Sequence, residues 1–258
     1  MKKLKYIIVF MVAVMAIGRL EAQEFKVAIE NSKDAELKLE DFIGDLPIEG
    51  YSGSEIIITS NSGDFQPPEK AKGLKPIYGG GTDNTGIGLE MVKDGNKIKF
   101  HCLLPGHRDG GYRVKVPESI LLRITSGPMS HGETTVSNFK GEIEYNGYDH
   151  INLKNVTGPV VVSTINGGIN VTFTEISKDK PVSLVTVNGE IDVTMPAKAA
   201  VELQMSTVNG SMYSDFDLSA ASKDMKRVGG NSVHTQLNGG GTSVSLHAVN
   251  GNIYLRKG

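Results

Sequence analysis

The chain has 258 residues, with 27 Lys and Arg against 29 Asp and Glu and a formal net charge of −2. That balance leaves no concentrated basic surface for nucleic acid, so a nucleic-acid partner is not expected. Cys102 is the only cysteine, which excludes an intrachain disulfide, and the lack of Trp beside 31 Gly points to a core of Val, Ile and Leu.

Lys2, Lys3 and Lys5 precede an uncharged apolar run over residues 6–17, and Gly18-Arg19-Leu20-Glu21-Ala22 follows with a small residue at its end. This order predicts a signal peptide over residues 1–22, cut after Ala22. The run is shorter than the about 20 residues that a membrane span needs. No Cys follows the cut to carry a lipid. Removal takes away four bases and one acid, which moves the net charge from −2 to −5. The mature chain is therefore expected in the periplasm, at the cell surface or outside the cell, with no membrane span.

An N-terminal β region is expected over residues 23–138. Phe25, Val27 and Ile29 alternate with polar residues, as do Leu37 and Leu39, and Asn31-Ser32-Lys33-Asp34 between them is turn chemistry. Ile56-Ile57-Ile58 reads as a strand. Residues 60–88 hold Pro67-Pro68, Pro76 and Gly79-Gly80-Gly81 and read as an irregular loop. Residues 89–104 contain Asp94-Gly95-Asn96 between alternating arms, a hairpin signal. Tyr112, Val114 and Val116 form a strand ending at Pro117, followed by Ile120, Leu122 and Ile124. No sustained 3.6-residue apolar period follows the signal segment.

Residues 139–258 are organised by a repeat. Asn-Gly recurs at Asn146-Gly147, Asn166-Gly167, Asn188-Gly189, Asn209-Gly210 and Asn250-Gly251, in steps of 20, 22, 21 and 41 residues. The flanks recur too, with Thr186-Val187 or Thr207-Val208 before the pair and Ile191-Asp192-Val193 or Ile253-Tyr254-Leu255 after it. Val160-Val162, Val182-Leu184, Val201-Leu203 and Val244-Leu246 are expected at one shared position. Residues 215–230 read as a surface insertion, and the 41-residue step as one irregular turn.

Two folds produce such a pattern. Asn-Gly closes type I′ hairpins, where both residues need positive φ, and that route leads to an antiparallel β-sandwich. Alternatively each period is one coil of a β-solenoid resembling a parallel β-helix, 20–22 residues per coil, with Asn-Gly at a stacked corner. The register favours the all-β solenoid. A meander places alternate turns at opposite ends and has no reason to repeat one string at one end; a stack requires like over like. Glycine is expected at the corner because positive φ leaves no room for a Cβ.

On the string Thr-Val-Asn-Gly-x-Ile-x-Val, the segment Asn166-Gly167-Gly168-Ile169-Asn170 and the segment Gly81-Thr82-Asp83-Asn84-Thr85-Gly86, the chain resembles the putative adhesin family of exported bacterial proteins (DUF4097), described as carrying β-strand repeats. The resemblance is strongest over residues 141–255. It implies a repetitive β fold and an adhesin-like role, and brings no catalytic residues with it.

Candidate chemistry is sparse. His101, Cys102 and His107 form the one His/Cys cluster, spaced too loosely for a zinc pattern. Packing explains them, with Cys102 as a small buried hydrophobe. His131, His150, His234 and His247 are scattered. Asp149, Asp192, Asp215 and Asp217 are candidates for a paired acid and base, since β-helices can carry polysaccharide-cleaving sites. Asp192 occupies an outward position where polar residues belong. Residues 79–84 lack the Lys of a phosphate loop and the acidic spacing of an EF-hand, and read as a flexible loop. Asn155-Val156-Thr157 and Asn170-Val171-Thr172 match a glycosylation sequon that the repeat itself generates.

No catalytic, cofactor or metal residues are therefore expected. The reading is an exported, non-enzymatic binding protein for glycans or cell-surface proteins. The alternatives are a carbohydrate-active enzyme on the same scaffold, or an envelope protein that self-assembles through an uncovered last strand over residues 253–255.

Overall fold

The computed structural model describes residues 23–31, 34–60, 69–71, 74, 80–103, 111–178, 180–218 and 231–258. The signal segment, His107, and residues 219–230 of the expected insertion lie outside them. Among the described residues twenty strands carry the fold, joined by irregular segments and by a 3-10 turn at Glu69–Ala71. They are β1 (Gln23–Ala28), β2 (Glu36–Glu40), β3 (Leu46–Tyr51), β4 (Glu55–Ser60), β5 (Leu89–Asp94), β6 (Lys97–Cys102) and β7 (Tyr112–Pro117). Next come β8 (Leu121–Thr125), β9 (Glu133–Phe139), β10 (Ile143–Gly147), β11 (His150–Val156), β12 (Val160–Thr164), β13 (Ile169–Phe173) and β14 (Val182–Asn188). The chain ends with β15 (Ile191–Met195), β16 (Val201–Asn209), β17 (Met212–Ser214), β18 (Asn231–Leu237), β19 (Thr242–Asn250) and β20 (Ile253–Lys257).

These strands form two ten-stranded, mostly parallel sheets. Sheet I runs β1-β4-β7-β3-β9-β11-β13-β15-β20-β17, and sheet II runs β18-β16-β19-β14-β12-β10-β8-β2-β6-β5. From β8 to β17 the chain visits the two sheets alternately. Each visit to both is one round, and like strands of neighbouring rounds pair in parallel. Period-2 alternation of Val, Ile and Leu with polar residues buries one face of each sheet against the other. Register then stacks like on like. In sheet II, Phe100, Leu39, Ile124, Tyr145, Val162, Leu184, Leu246 and Met205 form one buried column. In sheet I, Ile151, Ile169, Ile191 and Ile253 form another. The alignment expected from sequence slips in one round: Leu203 and Met205, not Val201 and Leu203, pair with Val244 and Leu246. The reason is that β16 is extended at its start, so Val201 reaches Thr242 instead. The two-residue offset keeps every side chain on its own face.

Chain order and spatial order part at both ends. The last round, β19 and β20, does not lie on the outside. It is inserted between β14/β15 and β16/β17, because β14 and β16 both pair with β19 while β15 and β17 both pair with β20. The expected open edge at residues 253–255 is therefore corrected: β20 is an interior strand. The other end repeats the arrangement. β2 and β3 lie between β6/β7 on one side and β8/β9 on the other. Antiparallel pairing is confined to the outer strands, β1 with β4, β4 with β7, β5 with β6 and β16 with β18.

Residues 80–88 are more ordered than a flexible loop. One Asp83 oxygen accepts hydrogen bonds from Thr85 N, Thr85 Oγ1 and Gly86 N, and the other accepts from Gly88 N. Asn84 brackets Met91, donating to its carbonyl at 2.8 Å and accepting from its amide at 2.7 Å. An Asp that satisfies four local donors fixes a turn without a ligand.

Candidate binding face

The corner between sheet II and sheet I repeats three devices in successive residues. The first is a buried threonine. Thr186 Oγ1 donates to the carbonyl of Gly167, Thr207 Oγ1 to that of Gly251, and Thr164 Oγ1 to that of Asp149, each at 2.9 Å. The second is an asparagine ladder. Asn209 Nδ2 donates to Asn250 Oδ1 at 2.8 Å, Asn250 Nδ2 to Asn188 Oδ1 at 2.8 Å, and Asn188 Nδ2 to Asn166 Oδ1 at 3.0 Å. The third is glycine, and the reason differs from the expected one. None of Gly147, Gly167, Gly189, Gly210 and Gly251 has positive φ, nor do the asparagines before them. Instead a Cβ on Gly251 would lie 1.8 Å from the carbonyl oxygen of Gly189, and one on Gly189 would lie 2.2 Å from that of Gly167. Close stacking, not turn strain, selects glycine here.

Asn146-Gly147 does not belong to this column. It pairs with Ser163-Thr164, three residues ahead of Asn166-Gly167, and the level below the ladder is filled by Tyr148 and Asp149. Positive φ appears at the opposite corner, at Asn138 and Asn155, where Asn155 Nδ2 donates to Asn138 Oδ1 at 3.2 Å. Between threonine and asparagine the corner leaves an apolar residue outward. Ile165, Val187 and Val208 are 38, 37 and 46 % exposed and form a stripe beside the ladder, with Val249 between the last two.

Past the corner, the outer face of sheet I carries a connected polar and aromatic patch. Four residues after each ladder asparagine stand Asn170, Asp192, Tyr213 and Tyr254, in the spatial order Asn170-Asp192-Tyr254-Tyr213. The Tyr213 and Tyr254 rings stack with centroids 5.3 Å apart and planes 10° apart. The Arg256 guanidinium lies 5.5 Å from the Tyr254 ring centroid and holds both Asp192 oxygens, Nε to Oδ1 at 2.8 Å and Nη2 to Oδ2 at 2.8 Å. Hydrogen bonding to Asp192 and the attraction of its charge raise the guanidinium pKa further, with Asp215 adding to it. Glu190 accepts from Asn252 Nδ2 at 3.2 Å, and Asn252 Nδ2 also reaches the Tyr254 hydroxyl at 3.0 Å. The shared offset from Asn-Gly is the signal that would have found this patch in the sequence.

The other candidates are spread out. Asp149 accepts from Ser130 Oγ at 2.5 Å and directly precedes β11, two strands from the β15 that carries Asp192. Asp215 follows β17, with its amide on the Leu255 carbonyl. His101 Nδ1 lies 3.5 Å from Asp41 Oδ2. Cys102 is half-buried rather than fully buried, and with His101, Asp41, Leu103 and Met129 it lines a cavity of about 340 Å³. His150 Nδ1 accepts from Gly168 N at 2.9 Å, His234 pairs with Glu202 at 3.0 Å, and His247 Nδ1 lies 2.7 Å from Ser206 Oγ. Among the described residues no group of three or more His, Cys, Asp or Glu side chains is placed to hold a metal ion. No described helix is long and apolar enough to cross a membrane.

No family model matches the chain, and no curated protein matches it in sequence. Solved structures do align with it over most of its length. A putative cell adhesion protein from Clostridium sporogenes is 14 % identical with a TM-score of 0.44, covering 92 % of this chain and 100 % of that one. A putative adhesin from Bacteroides fragilis is 10 % identical with a TM-score of 0.36, covering 92 % and 97 %. A putative adhesin from Parabacteroides distasonis is 12 % identical with a TM-score of 0.35, covering 91 % and 97 %.

Proposed function

We propose that the chain is an exported, non-enzymatic β-solenoid with an adhesin-like role, binding glycans or cell-surface proteins along its outer face. The observation that carries this reading is the in-register corner, where an asparagine ladder, an apolar stripe and an aromatic and charged patch run side by side across four rounds. Backbone pairing holds such a surface rigid, so an extended partner loses little to ordering the protein. Export rests on the signal sequence of residues 1–22, and mass spectrometry of the secreted or periplasmic protein should find Gln23 at its start.

The engagement of the carboxylates favours binding over cleavage. A glycosidase needs one carboxyl as acid and a second free to act as base or nucleophile. Asp192 is held by Arg256 on both oxygens and Asp149 accepts from Ser130. The test is attachment of labelled mature protein to whole cells and to arrayed surface components. Saturable binding is expected; the absence of binding to any surface component, or release of reducing ends from a polysaccharide, would overturn the reading.

A further inference from the structure

Within that surface-binding reading, we propose that the outer ring face of Tyr213 is the stacking platform of a subsite for neutral sugars. Among the described strands, β17 is the edge of sheet I and pairs only with β20. Tyr213 stands directly opposite Tyr254, so one face of its ring is covered by that neighbour. Arg256 reaches back toward Asp192 on β15 and lies over the Tyr254 ring. The result is a short stack of guanidinium, Tyr254 and Tyr213, anchored at one end by a bidentate ion pair and finished at the other by Tyr213, a residue 54 % exposed. The far face of that ring looks past the sheet edge, where no described strand pairs.

A held aromatic face with a polar border suits a pyranose. The ring quadrupole puts negative potential on the face, which attracts the weakly positive C–H groups of a sugar. Two packed rings and a guanidinium keep the plate from rotating, so little freedom is lost on binding. Ser211, two residues before Tyr213, and Asn252, whose Oδ1 accepts from the Ser211 amide at 2.9 Å, offer the donors and acceptors that hydroxyl groups need. Charge decides the class of sugar. Asp192 and Asp215 act on one guanidinium, and that guanidinium is already taken by Asp192. An anionic glycan meets repulsion there, and a neutral one does not.

The mature chain is applied to an array of neutral and carboxylated or sulfated oligosaccharides, alongside whole-cell attachment. Hits are then titrated by isothermal calorimetry, which reads every variant alike. Binding to one or more neutral glycans is expected, weakened at least tenfold in Tyr213→Ala and preserved in Tyr213→Phe and Tyr213→Trp, with melting temperature as the folding control. Unchanged affinity in Tyr213→Ala, or preference for anionic glycans, overturns the subsite while leaving surface binding intact. Attachment to cells with no glycan hit also removes the subsite alone. Loss of both glycan and cell binding in the wild-type chain removes the surface-binding reading with it.

Discussion

Replacing Gly251 by Ala tests why the corners are built as they are. The new Cβ would sit 1.8 Å from the Gly189 oxygen and 2.6 Å from its carbonyl carbon, against an ordinary contact of about 3.5 Å. Relief requires the two rounds to separate by more than about 1 Å at the corner, a shift of the kind that overpacking cannot absorb. Gly189 N to Asn250 O at 3.1 Å stretches with it, as does the Asn250 Nδ2 bond to Asn188 Oδ1. Overpacking of about 1–3 kcal/mol plus roughly 1 kcal/mol for a weakened hydrogen bond gives a loss of about 3 kcal/mol. At about 2–4 °C per kcal/mol for a chain of this size, melting falls by roughly 10 °C. Gly168→Ala is the matched control, because its nearest neighbour would be His150 Nδ1 at 3.2 Å and the next the Glu190 carbonyl at 3.4 Å. Thermal and urea unfolding followed by circular dichroism measure both. Gly251→Asn separates the two explanations, since Asn tolerates positive φ but has the same Cβ. The close-approach argument expects Asn and Ala to be equally harmful at 251. A loss under about 0.5 kcal/mol in Gly251→Ala, or clear rescue by Asn, would refute it.

Asn250 makes two ladder bonds and Asn209 one, so Asn250→Ala should cost about twice as much as Asn209→Ala, roughly 1–2 kcal/mol against about half that, by urea midpoint. Thr186→Val keeps the shape but strands the buried Gly167 carbonyl, and should lower stability by about 1–3 kcal/mol in the same assay. Burial raises the Tyr145 phenol pKa, only partly offset by the hydrogen bond with Ser126, so the folded state favours the neutral form. That contribution is complete below about pH 10 and is lost as pH climbs through the folded pKa; melting from pH 8 to 11 should fall, and Tyr145→Phe should flatten this alkaline limb. Burial pushes the Glu40 carboxyl up, but hydrogen bonds and charge from Lys38 and Lys99 outweigh it and the pKa is lowered. Its stabilisation is present above the ordinary value near 4.5 and disappears as pH falls through the folded pKa, so Glu40→Gln should lessen the loss of melting temperature in acid.

The repeat was readable because stacking imposes the same demands on every round. Thr186 and Thr207 recur because each caps a corner carbonyl, Asn188, Asn209 and Asn250 because each joins one ladder, and the glycines because a carbonyl lies where a Cβ would be. The same uniformity hid the order of the rounds. Val187-Asn188-Gly189, Val208-Asn209-Gly210 and Val249-Asn250-Gly251 offer nearly interchangeable surfaces, so their likeness does not reveal which rests on which. Tyr254 stands beside Asp192, and Tyr213 at the sheet edge, only because the last round enters the stack before the one preceding it in the chain. Asn146-Gly147 misled for the opposite reason. It is an Asn-Gly dipeptide in the right place in the chain but three residues out of step with Asn166-Gly167. In the N-terminal region the strands were visible from alternation, yet nothing in Leu37, Leu39 or Ile48 announces that β2 and β3 lie inside the stack.

The insertion of the last round is tested most directly by cysteine pairs in a Cys102→Ser background. Neighbouring strands place equivalent Cα atoms about 4.8 Å apart, within disulfide reach, whereas strands one further apart are separated by about 9.6 Å, beyond it. Asn188→Cys with Asn250→Cys should crosslink on mild oxidation, and Asn188→Cys with Asn209→Cys should not, as read by mass spectrometry of non-reduced digests. Ready crosslinking of 188 to 209 with none from 188 to 250 would mean that the rounds stack in chain order, and would contradict the architecture described above.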